Sequence, residues 1–172
     1  MKPVRTRTIV LFFLIAHAAY LAMGFTLPSI ADGPAVPLFD LRMFSGYDDA
    51  YAALFLAGLT ATGRAVYLYA QFPLDTVYPV AGALFFSLLF LRRTGSRPLA
   101  TAGLFPMAFD LLENALVFTM IASGSAAPAV VSLASFATVA KGFAYVACYG
   151  AAAFLSASAL VAWLRRRSRT RQ

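Results

Sequence analysis

Charge is scarce in this sequence. Only 12% of its 172 residues are Asp, Glu, Lys or Arg, while 61% are hydrophobic and the mean hydropathy is +0.76. Soluble domains carry about 25% charged residues, so the composition argues against a water-soluble core and for a membrane protein. Reactive side chains are scarce too, with one cysteine, Cys148, and one histidine, His17. A lone cysteine cannot form an internal disulfide, and no His/Cys set has metal-ligand spacing. Zinc and redox-pair chemistry are therefore not expected. There is no phosphate loop, nucleophile elbow or haem-ligand pair, and nothing calls for a cofactor. Internal repeats are absent as well.

What is present is a set of long apolar runs with basic residues at their ends. A net charge of +7 would suit nucleic acid only on a soluble module with a clustered basic face, so no nucleic-acid partner is expected. A helix needs ~20 apolar residues to cross the hydrocarbon core. Residues 8–27, 72–91, 99–122 and 129–164 qualify, the last being too long for one perpendicular crossing. The predicted fold class is all-α, a four-helix transmembrane domain over 1–164 followed by a basic cytoplasmic tail, 165–172, which is expected to be disordered. The basic clusters at Lys2, Arg5 and Arg7, at Arg92, Arg93 and Arg97, and at Arg165 to Arg171 fall on one side of such a bundle. The positive-inside rule makes that side, with both termini, cytoplasmic. The connection 28–71 and the turn 123–128 then face outward. A cleaved signal peptide ending near Ser29 and Ala31 is the rival reading, but the apolar run exceeds the usual 7–15 residues of a signal core. Arginine and alanine bias hints at a GC-rich genome, so a bacterial inner membrane is expected.

The outward connection carries its own short helix. Ser45 reads as its N-cap with Asp48 in the first turn, and the apolar stretch 49–59 ends near 60–63. At about fourteen residues it is too short to span and is expected to lie across the outer mouth of the bundle.

Asp75, Asp110, Glu113 and Lys141 interrupt these apolar runs. A charge at the bilayer centre costs ~3 kcal/mol or more, so such residues face a protein interior or water and usually have partners. Each span offers one polar face at helical spacing. On the second it is Arg64, Tyr67, Gln71, Asp75, Tyr78 and Gly82; on the third Asp110, Glu113 and Asn114; on the fourth Lys141, Tyr145, Cys148 and Tyr149. His17, Tyr20 and Gly24 make a weaker stripe on the first. Counting ~1.5 Å per residue from the arginines puts Asp110, Tyr20 and His17 roughly 13–18 Å in, and Glu113, Asp75, Cys148 and Tyr149 at about 22–24 Å. Lys141 and Tyr145 come out nearer the outer surface. The expected result is a pocket open outward, acidic at its base, in which Asp110 and Glu113 share a proton. A carboxyl pair with one proton suits general acid–base chemistry and equally proton coupling in a carrier.

Plainer explanations exist for each group. Pro73 followed by Asp75 can be an ordinary helix start. Lys141 can snorkel to the interface. Asp110, Glu113 and Asn114 can be an interhelical hydrogen-bond network. His17 and Cys148 suit packing roles, and the small residues of 150–159 suit close helix contact.

The first span, the ordered outer segment, and an acid shortly before a proline in Asp75, Thr76, Val77, Tyr78 and Pro79 resemble the EXPERA-type membrane proteins, the group of sterol isomerases and the sigma-2 receptor. The first span lacks the acid that receptor-like members carry, and the run from Asp110 to Asn114 has no counterpart there. The resemblance implies a lipid-like or cationic amphipathic ligand. The leading expectation is an intramembrane site that binds a small amphipathic or isoprenoid-like molecule, with its conversion by acid–base chemistry left open. Asp110 and Glu113 are the candidate acid/base or cation-binding pair and Asp75 a further anion. Asn114, Lys141, Tyr145, Tyr78, Gln71, Tyr20 and His17 are candidate ligand-binding residues. Expected partners are membrane lipids, the amphipathic ligand, and a second copy or partner membrane subunit. A proton-coupled carrier using the same carboxylates, and an assembly subunit of a membrane complex, are the alternatives.

Overall fold

The computed structural model describes residues 4–169, which are helical with no strand among them. Helix α1 runs over Thr6–Ala31. The connection after it holds a 3₁₀ turn, Phe39–Arg42, and helix α2, Asp49–Gly58. Helix α3, Ala61–Val66, continues through a π-turn, Tyr67–Gln71, into α4, Phe72–Thr94. Helix α5, Arg97–Ala102, precedes α6, Phe105–Ser123, and α7 covers Pro128–Arg169. Four stretches are long and apolar enough to cross a membrane: Thr6–Ala31, Ala61–Thr94, Arg97–Ser123 and Pro128–Ser168.

Local chemistry sets several boundaries apart from those expected. Asp48, not Ser45, caps α2, its Oδ1 accepting from the Tyr51 amide at 2.9 Å. Ser45 instead closes a turn, its amide donating to the Arg42 carbonyl at 3.0 Å. Gly46 then takes φ +66°, which diverts the chain before a helix can begin. The second span does not start at Pro73. Proline lacks an N–H and crowds the carbonyl four residues back, and the wider π-turn just ahead of it relieves both, the Phe72 amide bonding to the Tyr67 carbonyl. Asp75 therefore lies deep within a continuous helix, and the helix-start explanation for it is withdrawn. At the other end α7 stays helical to Arg169, so the expected disordered tail is not seen up to that point. Lys2 and Arg171 lie outside the described residues.

Helix α4 is central, with α1 packed along one side and α6 on another, while α7 lies along α6. Two apolar clusters fill the interior. At the loop end, Phe39, Phe55, Tyr67, Val117, Ile121 and Val131 join the connection, α2, α6 and α7. At the arginine-rich end, Ile9, Phe86, Phe90, Cys148 and Ala152 join α1, α4 and α7. Along the stretch from Tyr67 into α4, and along α7, the buried polar residues fall between members of the first cluster and members of the second. The bundle thus holds one polar layer between two apolar ones.

Candidate functional site

The site is assembled by the connection after α1 as much as by the spans. Phe39 is fully buried against the rings of Tyr47 and Phe55, both at 4.6 Å between centroids. That anchor turns the next residue, Asp40, toward α7. Two contacts fix the loop there. Gly142 lets the backbone come close, since a Cβ at that position would stand 2.6 Å from the Met43 carbonyl oxygen. Farther along α7, Ser135 Oγ accepts from the Tyr47 amide at 2.8 Å.

Lys141 is the centre of the layer. Its ammonium pairs with Asp40 from the loop, with Glu113, and with Asp110 at 3.2 Å. The second oxygens of Asp110 and Glu113 have partners of their own. Tyr145 Oη donates to Asp110 Oδ2 at 2.8 Å, and the Thr138 hydroxyl lies 2.5 Å from Glu113 Oε1. Three carboxylates meet one ammonium, so the group carries two formal negative charges in excess when all are ionised. Lys141 is buried and turned inward, which removes the snorkelling explanation. Its side chain occupies the space between the acids, where an open pocket with an acidic base was expected. Two open concavities lie elsewhere. One, of about 400 Å³, sits beside the docked loop between Arg42, Tyr51 and Ser135. The other, of about 510 Å³, lies against Ser158, Arg165 and Arg166 near the end of α7.

Asp75 and Asn114 border the cluster. Asn114 Nδ2 donates to the Asp75 carbonyl at 2.7 Å and so ties α6 to α4. The Asp75 carboxylate is buried with Asp40, Asp110, Glu113 and Lys141 as its charged neighbours, and among the described residues it makes no hydrogen bond or ion pair. The other candidates stand apart. Gln71 pairs with Thr26 and links the π-turn ahead of α4 to α1. His17 Nδ1 faces the Phe13 carbonyl of its own helix at 2.8 Å. Tyr20 is 60% exposed, with its ring 5.8 Å from that of Tyr78. The four spans therefore do not contribute equally to one interior. Instead a row of rings leads from Tyr20 to Tyr78 to Tyr145, the last of which bonds Asp110. Tyr149 joins this row with its hydroxyl 3.4 Å from that of Tyr78.

Sequence reasoning missed Asp40 and Thr138. Thr138 stands three residues before Lys141, on the same helix face, and that spacing was available. Asp40 sits in an irregular connection, where no periodicity assigns a direction to a side chain. Among the described residues no set of His, Cys, Asp and Glu is arranged to hold a metal ion. No protein-family model matches the chain, and no curated protein or solved structure matches it.

Proposed function

We propose that the protein binds a small amphipathic, lipid-like molecule at the Lys141 cluster and converts it by acid–base chemistry, with Asp110 and Glu113 as the proton-exchanging pair. The observation that carries this reading is the surplus of acid: Asp40, Asp110 and Glu113 all face Lys141. A scaffold needs one counterion for one buried lysine, and each additional buried carboxylate adds a desolvation cost of several kcal/mol. Protons, or the cationic or hydrogen-bonding head of a ligand, offset that cost. The tyrosine row adds a route with apolar faces and polar tips, beginning at the exposed ring of Tyr20. The EXPERA-type resemblance points to the same ligand class. In this reading the arginine-rich end is cytoplasmic and α2 covers the outer end of the bundle. Counted from Arg92 at ~1.5 Å per residue, Asp75 is then ~25 Å into the membrane, close to the far edge of a core ~30 Å thick.

The test compares Glu113→Gln and Asp110→Asn with the parent by native mass spectrometry of the gently purified protein. Retention of a co-purifying lipid per folded molecule should fall about tenfold or more, the worth of one charge-assisted hydrogen bond. Retention unchanged in both variants would leave the acids as scaffold. A second reading, a proton-coupled carrier, is favoured by the unbroken succession of exchangeable groups from Tyr145 through Asp110 and Lys141 to Asp40. Pumping or leak of protons by the protein in liposomes, absent in Glu113→Gln, distinguishes it.

A further inference from the structure

We infer that Asp40 is the proton-exchange residue of the buried cluster, the group through which Asp110 and Glu113 trade protons with water at the loop end. The side chains of Lys141, Asp110 and Glu113 are 5%, 2% and 2% exposed, whereas that of Asp40 is 32% exposed. One carboxylate therefore touches both the buried ammonium and solvent. Its position is built, because the loop is held to α7 by the close approach of Met43 to Gly142 and by the Tyr47 bond to Ser135. The charged and titratable groups around it are Lys141 on α7, Asp110 and Glu113 on α6, Asp75 on α4, and Tyr67 and Tyr47. Arg42, on the same turn as Asp40, is engaged with the Gly46 carbonyl at 2.9 Å.

The exchange needs only proton shifts. A hydronium ion at the loop end protonates the Asp40 carboxylate and leaves as water. The Lys141 ammonium passes one proton to Glu113 or Asp110 and takes the Asp40 proton in return. Lysine ends with the protons it began with, Asp40 is again a carboxylate, and one buried acid has gained a proton. The reverse sequence carries a proton out. No electron donor or acceptor is involved.

This inference rests on the acid–base reading of the cluster, but its test needs no ligand. The full chain in phospholipid nanodiscs is subjected to a pH jump, and the carboxylic and carboxylate infrared bands are followed in time. Bands lost in Asp110→Asn and Glu113→Gln identify the buried acids. Asp40→Asn should slow their response about a hundredfold, the lower range for loss of a positioned proton-transfer group. Asp40→Glu should restore it. Equal rates in Asp40→Asn and parent, or an Asp40→Glu as slow as Asp40→Asn, would overturn the inference while leaving the acid–base reading intact. A parent whose buried carboxyl bands ignore pH altogether would overturn both. Should Asp40→Asn fail to fold, the parent alone in oriented liposomes suffices. Its buried carboxyls should follow a pH jump on the loop side, and a response to the arginine-rich side instead refutes the role.

Discussion

Lys141 is one of only two lysines in the chain, and Glu113 is the only glutamate. Both are almost fully buried, so each depends on the other and on Asp110 and Asp40. Removing one partner of a buried ion pair costs ~3–5 kcal/mol, largely because the remaining charge is left uncompensated. Lys141→Met keeps the length of the stem and deletes the charge, leaving three carboxylates facing one another. We expect it to melt far below the parent in detergent. Adding Asp110→Asn and Glu113→Gln to it removes two of those charges while keeping their shape, and should recover most of the loss. Circular dichroism melting of the three proteins decides the matter. A triple variant no more stable than the single one would mean that Lys141 supports the fold by packing and not by charge. Much of this cluster was legible from spacing alone, since Asp110, Glu113, Asn114, Lys141 and Tyr145 interrupt apolar runs at helical intervals. What spacing could not supply was the hundred-residue separation between Asp40 and Lys141, which only the docked loop closes.

At the scale of elements, that loop behaves as part of the core. Tyr47 is held between Phe39 and Tyr51, and its hydroxyl is buried toward Thr138 without closing a hydrogen bond. Burial pushes the Tyr47 phenol well above its ordinary value. A phenol whose folded pKa is raised stays protonated in the native state while the unfolded chain releases its proton. The associated stability is therefore full below about pH 10 and is lost as pH rises beyond it. We expect the melting temperature to fall between pH 9 and 11 (roughly the range around a free phenol), and to fall less steeply in Tyr47→Phe. At pH 7 the phenylalanine variant should match the parent to within ~1 kcal/mol, since no hydrogen bond is lost. Identical pH slopes in the two proteins would mean that the loop is not docked in solution. The loop was read as organised, yet its helix start was misplaced at Ser45, because an N-cap residue type was present there and at Asp48 alike. The left-handed turn at Gly46 decides between them, and a glycine does not announce its φ in sequence. The π-turn before Pro73 was invisible for a similar reason. Proline signals a break, and a helix that widens around it leaves no separate mark.

For the whole molecule, length and composition carried the most information. Four apolar runs became four helices fit to cross a membrane, with ends moved by a few residues where caps and prolines act and by eleven before the second span. Helix α7 is the outlier, roughly 63 Å long at ~1.5 Å per residue against a hydrocarbon core of ~30 Å. Its first turns pack with Phe39, Phe55 and Ile121 at the loop end, and its last carry Arg165, Arg166 and Arg167. A helix of that length accommodates by tilting or by standing clear of the bilayer at its ends. Four spans put Arg5, Arg92, Arg97 and Arg165 at one end and the loop with Asp32 at the other. Translocating the arginine-rich clusters would run against the bias that orients short loops, so we expect the arginine-rich end inside and the loop outside. Single cysteines at Asp32, an exposed position beside α1, and at Ser168, exposed on the last turn of α7, report on this directly in a Cys148→Ser background. A membrane-impermeant maleimide added to intact cells should label Asp32→Cys and leave Ser168→Cys until the membrane is opened. Labelling of both from outside would give the chain an odd number of crossings. Labelling of Ser168→Cys alone would invert the bundle and turn Asp40 toward the cytoplasm. In that case the proton-exchange side of the cluster would reverse with it, because the 32% exposure of the Asp40 side chain belongs to the loop end of the fold whichever way the bundle faces.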